Sequence, residues 1–186
     1  EIDLMRNRIL DRDTGHLGLF FDYEWRSQSA IVSYGHDIEA SWLLWEAAEA
    51  LGDDALLRDI KPDVLLLATC CLERGIGRSG QLCNEFNPLT DERDENAIWW
   101  VQAEALVGFL RAWTLSGDAR FLDACHGVWQ FIGRYQADFE NGDWHWFAQD
   151  HGPEDPRPYK AGFWKAPYHN GRAMLESMRL FDAAGM

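Results

Sequence analysis

The 186 residues have the length of one domain, and 47% of them are hydrophobic, including ten tryptophans and ten phenylalanines, which supports a sizeable core and excludes a disordered chain. A formal charge of −14 and a pI near 4.7 argue against a phosphate backbone or an anionic membrane as partner, and fit a neutral small molecule. No apolar run approaches the ~20 residues of a membrane span, and Cys70, Cys71, Cys83 and Cys125 form neither a Cys-x-x-Cys pair nor a zinc spacing, a pattern that suggests a reducing, cytoplasmic setting.

In chain order, Glu1-Ile2-Asp3-Leu4 falls in what reads as the middle of a helix, with no initiator Met and no capping signal. The chain therefore reads as a fragment, and bears neither for nor against a secretory leader. Residues 36–51 carry Ile38, Trp42, Leu43, Trp45, Ala48 and Leu51 at helical spacing. Residues 54–73, 97–116, 118–137 and 169–184 repeat that pattern, with Trp42, Trp45, Trp113 and Trp129 expected in the core. The stretches 74–95 and 138–168 collect Gly, Pro, Asn and Asp and read as long loops, the second with a short strand at Trp144-His145-Trp146-Phe147. Loops of that length in a compact domain are usually functional.

The turns between helices repeat. Gly52-Asp53-Asp54-Ala55-Leu56-Leu57 and Gly117-Asp118-Ala119-Arg120-Phe121-Leu122 share one design, Gly ending a helix and Asp capping the next, and Gly185 marks a third turn. Sixteen residues before Gly52 stands His36, and sixteen before Gly185 stands His169; Glu39 and Glu104 each lie thirteen before their glycine. Sixteen helical residues span about 24 Å, so these side chains sit at the end far from the short turns. The repeat predicts His36, the Trp100/Glu104 pair and His169 at equivalent rim positions of three neighbouring helices.

Each candidate has chemistry to offer. Glu39 lies one turn from His36, where a carboxylate can orient an imidazole or hold a sugar hydroxyl. His169 follows Pro167 at a helix start. Trp100 and Glu104 share a helix face, and an indole beside a carboxylate suits a sugar, the ring covering C–H groups while the carboxylate accepts from hydroxyls. His16, His126, His145 and His151 receive no role. A Gly-rich phosphate loop, a Walker pattern, a G-x-S-x-G elbow and a metal-ligand spacing are all missing from the sequence.

Three motifs taken together resemble the N-acylglucosamine 2-epimerase superfamily, and most closely its cellobiose 2-epimerase branch. They are Ser33-Tyr34-Gly35-His36-Asp37-Ile38-Glu39-Ala40-Ser41, Trp99-Trp100-Val101-Gln102-Ala103-Glu104-Ala105 and Trp164-Lys165-Ala166-Pro167-Tyr168-His169-Asn170-Gly171-Arg172. The resemblance implies an all-α fold in which residues 1–186 form the C-terminal portion, about half, of an (α/α)6 barrel. It also implies cofactor-free epimerisation at C2 of a reducing-end glucose. The positions matching His36 and His169 serve that family as general acid and base, and those matching Glu39, Trp100, Glu104 and Trp164 contact the sugar. An absent N-terminal half would supply the other hairpins, with an arginine and another histidine at the site; without it, exposed helix faces favour self-association. Three alternatives remain at this point: an aldose–ketose isomerase of the same superfamily, a glycoside hydrolase using Glu39 and Glu104, and an inactive helical-repeat module.

Overall fold

The computed structural model describes residues 1–152 and 160–185; part of the 138–168 loop therefore lies outside the described residues. Six α-helices occur among the described residues: α1 (Ile2–Leu4), α2 (Tyr34–Leu51), α3 (Asp54–Cys70), α4 (Trp99–Ser116), α5 (Ala119–Phe131) and α6 (Tyr168–Ala184). Their ends follow from local chemistry. Gly52, Gly117 and Gly185 adopt left-handed φ values of 67°, 72° and 74°, which closes each preceding helix without a Cβ clash. Asp53 then accepts from the Ala55 and Leu56 amides, and Asp118 from that of Arg120, capping the next helix.

The helices α2, α4 and α6 lie side by side, with α3 behind α2 and α5 behind α4. Two full hairpins and the first helix of a third follow the turn repeat, and together they make about half of an (α/α)6 arrangement. Helix α4 sits in the middle and is apolar nearly all round; from Val101 to Ala112 every residue is buried. Across the far ends of the three inner helices, Arg111 and Arg179 both bond Glu46. On the outer side, Asp63 of α3 receives Arg6 at 2.6 Å and Arg12 at 2.7 Å, tying the start of the chain to the first hairpin.

The outer helices share an ending that periodicity did not reveal. Cys71–Gly75 and Ile132–Gln136 add a π-helical turn to α3 and α5, and Met5–Ile9 adds one to α1. A tight turn follows each, through Gly15, Gly80 or Gly142 at positive φ, and closes with an antiparallel pairing of Leu10 with Leu17, Ile76 with Leu82, or Ala137 with Trp144. The first pairing belongs to a two-stranded ribbon, β1 (Leu10–Asp11) with β2 (His16–Leu17).

Several expectations are corrected. The 74–95 loop contains a hairpin, β4 (Glu85–Asn87) with β5 (Glu92–Asp94), whose first strand also pairs with β3 (Val32–Ser33). Trp144-His145-Trp146-Phe147 is no strand: Trp144 and Phe147 make single bridges to Ala137 and Ile98. Trp42 is buried, Trp45 and Trp113 are half-buried, and Trp129 is 51% exposed because α5 turns that side to solvent. All four cysteines are free and buried, and burial raises the thiols of Cys83 and Cys125 to about 11 and about 12. No helix of the described residues is long and apolar enough to cross a membrane.

Candidate functional site

The inner helices start at a common rim, where a cavity of about 430 Å³ is lined by His36, Glu39, Trp99, Trp100, Trp146, Trp164, Tyr168 and His169. A larger cavity of about 650 Å³ lies between residues 8–34 and the β4–β5 hairpin, and none of the sequence-predicted site residues reaches it. The chemistry is concentrated in the smaller one.

Trp100 stands between the two histidines: its ring centroid is 5.0 Å from that of His36 and 5.7 Å from that of His169. Gly35 makes room for it, since a Cβ there would lie 2.4 Å from the indole Cη2. His36 is exposed, and its Nδ1 lies 2.8 Å from the hydroxyl of Ser33. His36 thus meets Ser33 rather than the Glu39 carboxylate expected to orient it.

Glu104 is the organising carboxylate. It is 1% exposed and sits behind the cavity rather than on its wall. Its Oε2 accepts from the Trp42 indole at 2.9 Å, and its Oε1 takes His169 Nδ1 at 2.7 Å and the Arg172 guanidinium at 2.7 Å. An ionised carboxylate only accepts, so His169 presents its Nδ1–H here and leaves Nε2 for other chemistry. Glu39, expected beside His36, instead receives Arg172 at 2.9 Å. Burial, then the nearby charge of Glu104, raises the Glu39 carboxyl above its ordinary value, with Arg172 acting against both. Burial lowers Arg172, but its bonds to Glu104 and Glu39 outweigh that and raise it.

Glu39, Glu104 and His169 bring ligand-type atoms within 4.8 Å of one another. One terminal nitrogen of Arg172 bonds both carboxylates, so a side chain of the protein already offsets part of their charge. Trp164 is 76% exposed on the loop before α6 and borders the cavity from outside.

Sequence reasoning missed Arg172, Ser33, Tyr168, Trp99 and Trp146. Arg172 had a signal: it stands thirteen residues before Gly185, the position that Glu39 and Glu104 occupy before Gly52 and Gly117. It also stacks over the rings of Trp42 at 4.9 Å and Tyr168 at 5.0 Å. Trp146 enters from a loop, where no periodicity points to it.

An arc of helical hairpins with two histidines and two carboxylates at one rim defines the class: an α/α-barrel chain built like the sugar epimerases and isomerases. The sequence profile of the N-acylglucosamine 2-epimerase (GlcNAc 2-epimerase) family matches residues 2–173, and the chain belongs to that family. It is 45% identical to a cellobiose 2-epimerase of Bacteroides fragilis over 94% of its own length and 44% of the relative's. It is 40% identical to one of Dictyoglomus turgidum, over 96% and 45%. A sugar epimerase from a ruminal bacterium superposes with a TM-score of 0.88 at 38% identity, over 96% of this chain and 45% of that one. A D-mannose isomerase at 17% identity and a TM-score of 0.75 shares the fold. The chain thus spans a little under half the length of the curated cellobiose 2-epimerases it matches.

Proposed function

We propose that this chain is the C-terminal portion of a sugar 2-epimerase, and that the complete barrel inverts C2 of a reducing-end glucose, as in cellobiose. The observation that carries this reading is the pair of imidazoles flanking one indole, with His169 held by a buried carboxylate. The sugar opens to its aldehyde, whose carbonyl acidifies the C2 proton. One imidazole removes that proton, and the electron pair moves into an enediolate. The intermediate turns its other face, and the second imidazole returns a proton to C2. A proton leaves C2 and a proton arrives there, so no oxidant or reductant enters. Imidazole suits both steps because it gains and loses a proton near neutral pH.

Glu104 holds the tautomer and direction of His169, and Trp100, with Trp164 beyond it, stacks on the sugar's C–H face. Glu39 remains on the cavity wall, where it can accept from a hydroxyl. A hydrolase is disfavoured by the carboxylates themselves. Both are tied to one guanidinium, and every oxygen of buried Glu104 faces a donor, so Glu39 has no second free carboxylate to complete an acid and base pair. The remaining hairpins would cover the exposed Leu175 and Met178 on α6.

The test is made in the complete barrel with cellobiose in deuterated water. The expected product is the mannose-ended epimer carrying one deuterium at C2. His36→Asn and His169→Asn should each lower the rate by ~10²–10⁴-fold with the fold retained. A fructose-ended product would establish the isomerase instead, and released glucose a hydrolase.

A further inference from the structure

One residue past the histidine layer, the inner helices carry a second repeated position. Asp37, Gln102 and Asn170 each lie fifteen residues before the glycine that ends their helix, and all three are buried. Each is gripped by a tight turn that follows an outer helix. Asp37 faces His16 Nδ1 at 2.7 Å and accepts from the Leu17 amide at 2.8 Å. Gln102 accepts from the Leu82 amide at 2.9 Å and donates to the Leu82 carbonyl at 2.7 Å. Asn170 donates to Asp143 at 2.8 Å.

The third grip differs from the second by a full ion pair. Asp143 Oδ1 also faces the ammonium of Lys165 at 3.2 Å, and the Lys165 side chain is wholly buried. That ammonium lies 5.6 Å from the centroid of Trp99, whose ring packs 4.2 Å from that of Trp146. Asp143 itself is held at φ 62° and accepts from the Trp144 amide at 2.6 Å. Burial acts to raise its carboxyl, but the bonds from Trp144 and Lys165 hold it below its ordinary value. A buried ammonium is costly to desolvate, and one carboxylate repays that only with good geometry. The place of this pair in the chain shows what it fixes. Lys165 directly follows Trp164, and Asn170 directly follows His169, so one carboxylate holds both ends of the segment that presents Trp164, Tyr168 and His169 to the cavity.

We propose that Asp143, Lys165 and Asn170 form a positioning brace that sets the direction of His169 against Glu104 and the sugar. This rests on the C2-epimerase reading for its kinetic consequence, though not for its structural one. Displacing a reacting group by about 1 Å can cost ~10²-fold in rate, and Asp143 links its turn both to Lys165 and to α6.

Two variants test it, Asp143→Asn and Lys165→Met. Asn tolerates the left-handed backbone and keeps an acceptor oxygen while removing the charge. Met keeps the stem of Lys165 and removes the ammonium, so it carries the test if Asp143→Asn does not fold. In the complete barrel, kcat on cellobiose should fall by about 10–100-fold, with KM changing by less than about threefold. In this chain, the Nδ1 proton shared by His169 and Glu104, followed by NMR, should exchange with water at least about tenfold faster. Unchanged kcat in both folded variants would overturn the brace. So would a rate loss that merely tracks thermal stability while the His169 proton stays protected. If the unsubstituted barrel does not epimerise cellobiose, the function reading falls; the His169 proton then judges the brace alone, and its retention in both variants refutes it.

Discussion

Glu104→Gln is the substitution whose consequences can be worked most closely from the site. The amide is nearly the same size as the carboxylate, so packing is unchanged, but one of its two ends becomes a donor. If the amide oxygen stays toward His169 and Arg172, the new NH2 confronts the Trp42 indole N–H, now 2.9 Å from Oε2. If it flips, the NH2 confronts Arg172, which only donates, and forces His169 into its other tautomer. Either way one buried donor goes unpaired, at a cost of about 1–3 kcal/mol. Arg172 also loses one of its two carboxylates; its side chain is partly exposed, so about 1 kcal/mol is the appropriate scale. The total of roughly 2–4 kcal/mol should lower Tm by roughly 5–15 °C in a chain of this size. The rate of the complete barrel should fall by ~10²–10⁴-fold, because in either orientation the negative charge that supports a protonated imidazole during proton transfer is gone, and in the flipped one the tautomer is lost as well. Differential scanning calorimetry and epimerisation kinetics measure the two effects. Trp42→Phe in the same background removes the confronting donor and should return part of the stability but not the rate, a cycle that separates the two roles. Parental stability together with a parental rate in Glu104→Gln would refute the assignment of Glu104 as the organising carboxylate.

Three other outcomes follow from the geometry. Because burial and then Glu104 raise the Glu39 carboxyl above 4.5, its ionised form is disfavoured in the fold; Glu39→Gln should be more stable than the parent at pH 7, with the gain vanishing below about pH 4.5 in a urea titration series. For Asp63, burial acts upward but the bonds from Arg12 and Arg6 prevail and hold the carboxyl below 3.8, so its contribution is present above that value and is lost as acid protonates it. Asp63→Asn should cost roughly 1–3 kcal/mol at neutral pH and flatten the acid limb of the stability profile. Gly35→Ala would put its Cβ 2.4 Å from Trp100, so an overpacking loss of about 1–3 kcal/mol and a shift in tryptophan emission are expected.

Much of this architecture was legible because the hairpin unit repeats with its punctuation. Gly52 with Asp53 and Gly117 with Asp118 set the helix ends, and counting back from Gly52, Gly117 and Gly185 puts His36, Glu39, Trp100, Glu104 and His169 at one rim. The same count from Gly185 reaches Arg172, a cation where the other two hairpins carry carboxylates, so residue type alone does not point to it. Other features left less trace. Strands of three residues, such as Glu85–Asn87, are too short for alternation to show. Trp129 was placed in the core by residue type, whereas exposure is decided by helix face, and α5 has a solvent side. The pairing of Glu39 with Arg172 rather than His36 joins residues 133 positions apart, and spacing along one helix carries no information about it.

Arg172 has a further meaning as a matter of proton capacity. Glu39 and Glu104, when ionised, carry two negative charges, and the guanidinium bonded to both carries one positive charge. The rim therefore stands one negative charge from neutrality when both imidazoles are neutral, and reaches neutrality when one of them takes a proton. With an uncharged sugar in the cavity, a state with one charged and one neutral histidine leaves no net charge in a partly desolvated space, whichever histidine holds the proton. Exchanging a proton between them then changes where the charge sits but not how much there is. Replacing Arg172 by a neutral residue would leave the two carboxylates facing each other with no guanidinium between them.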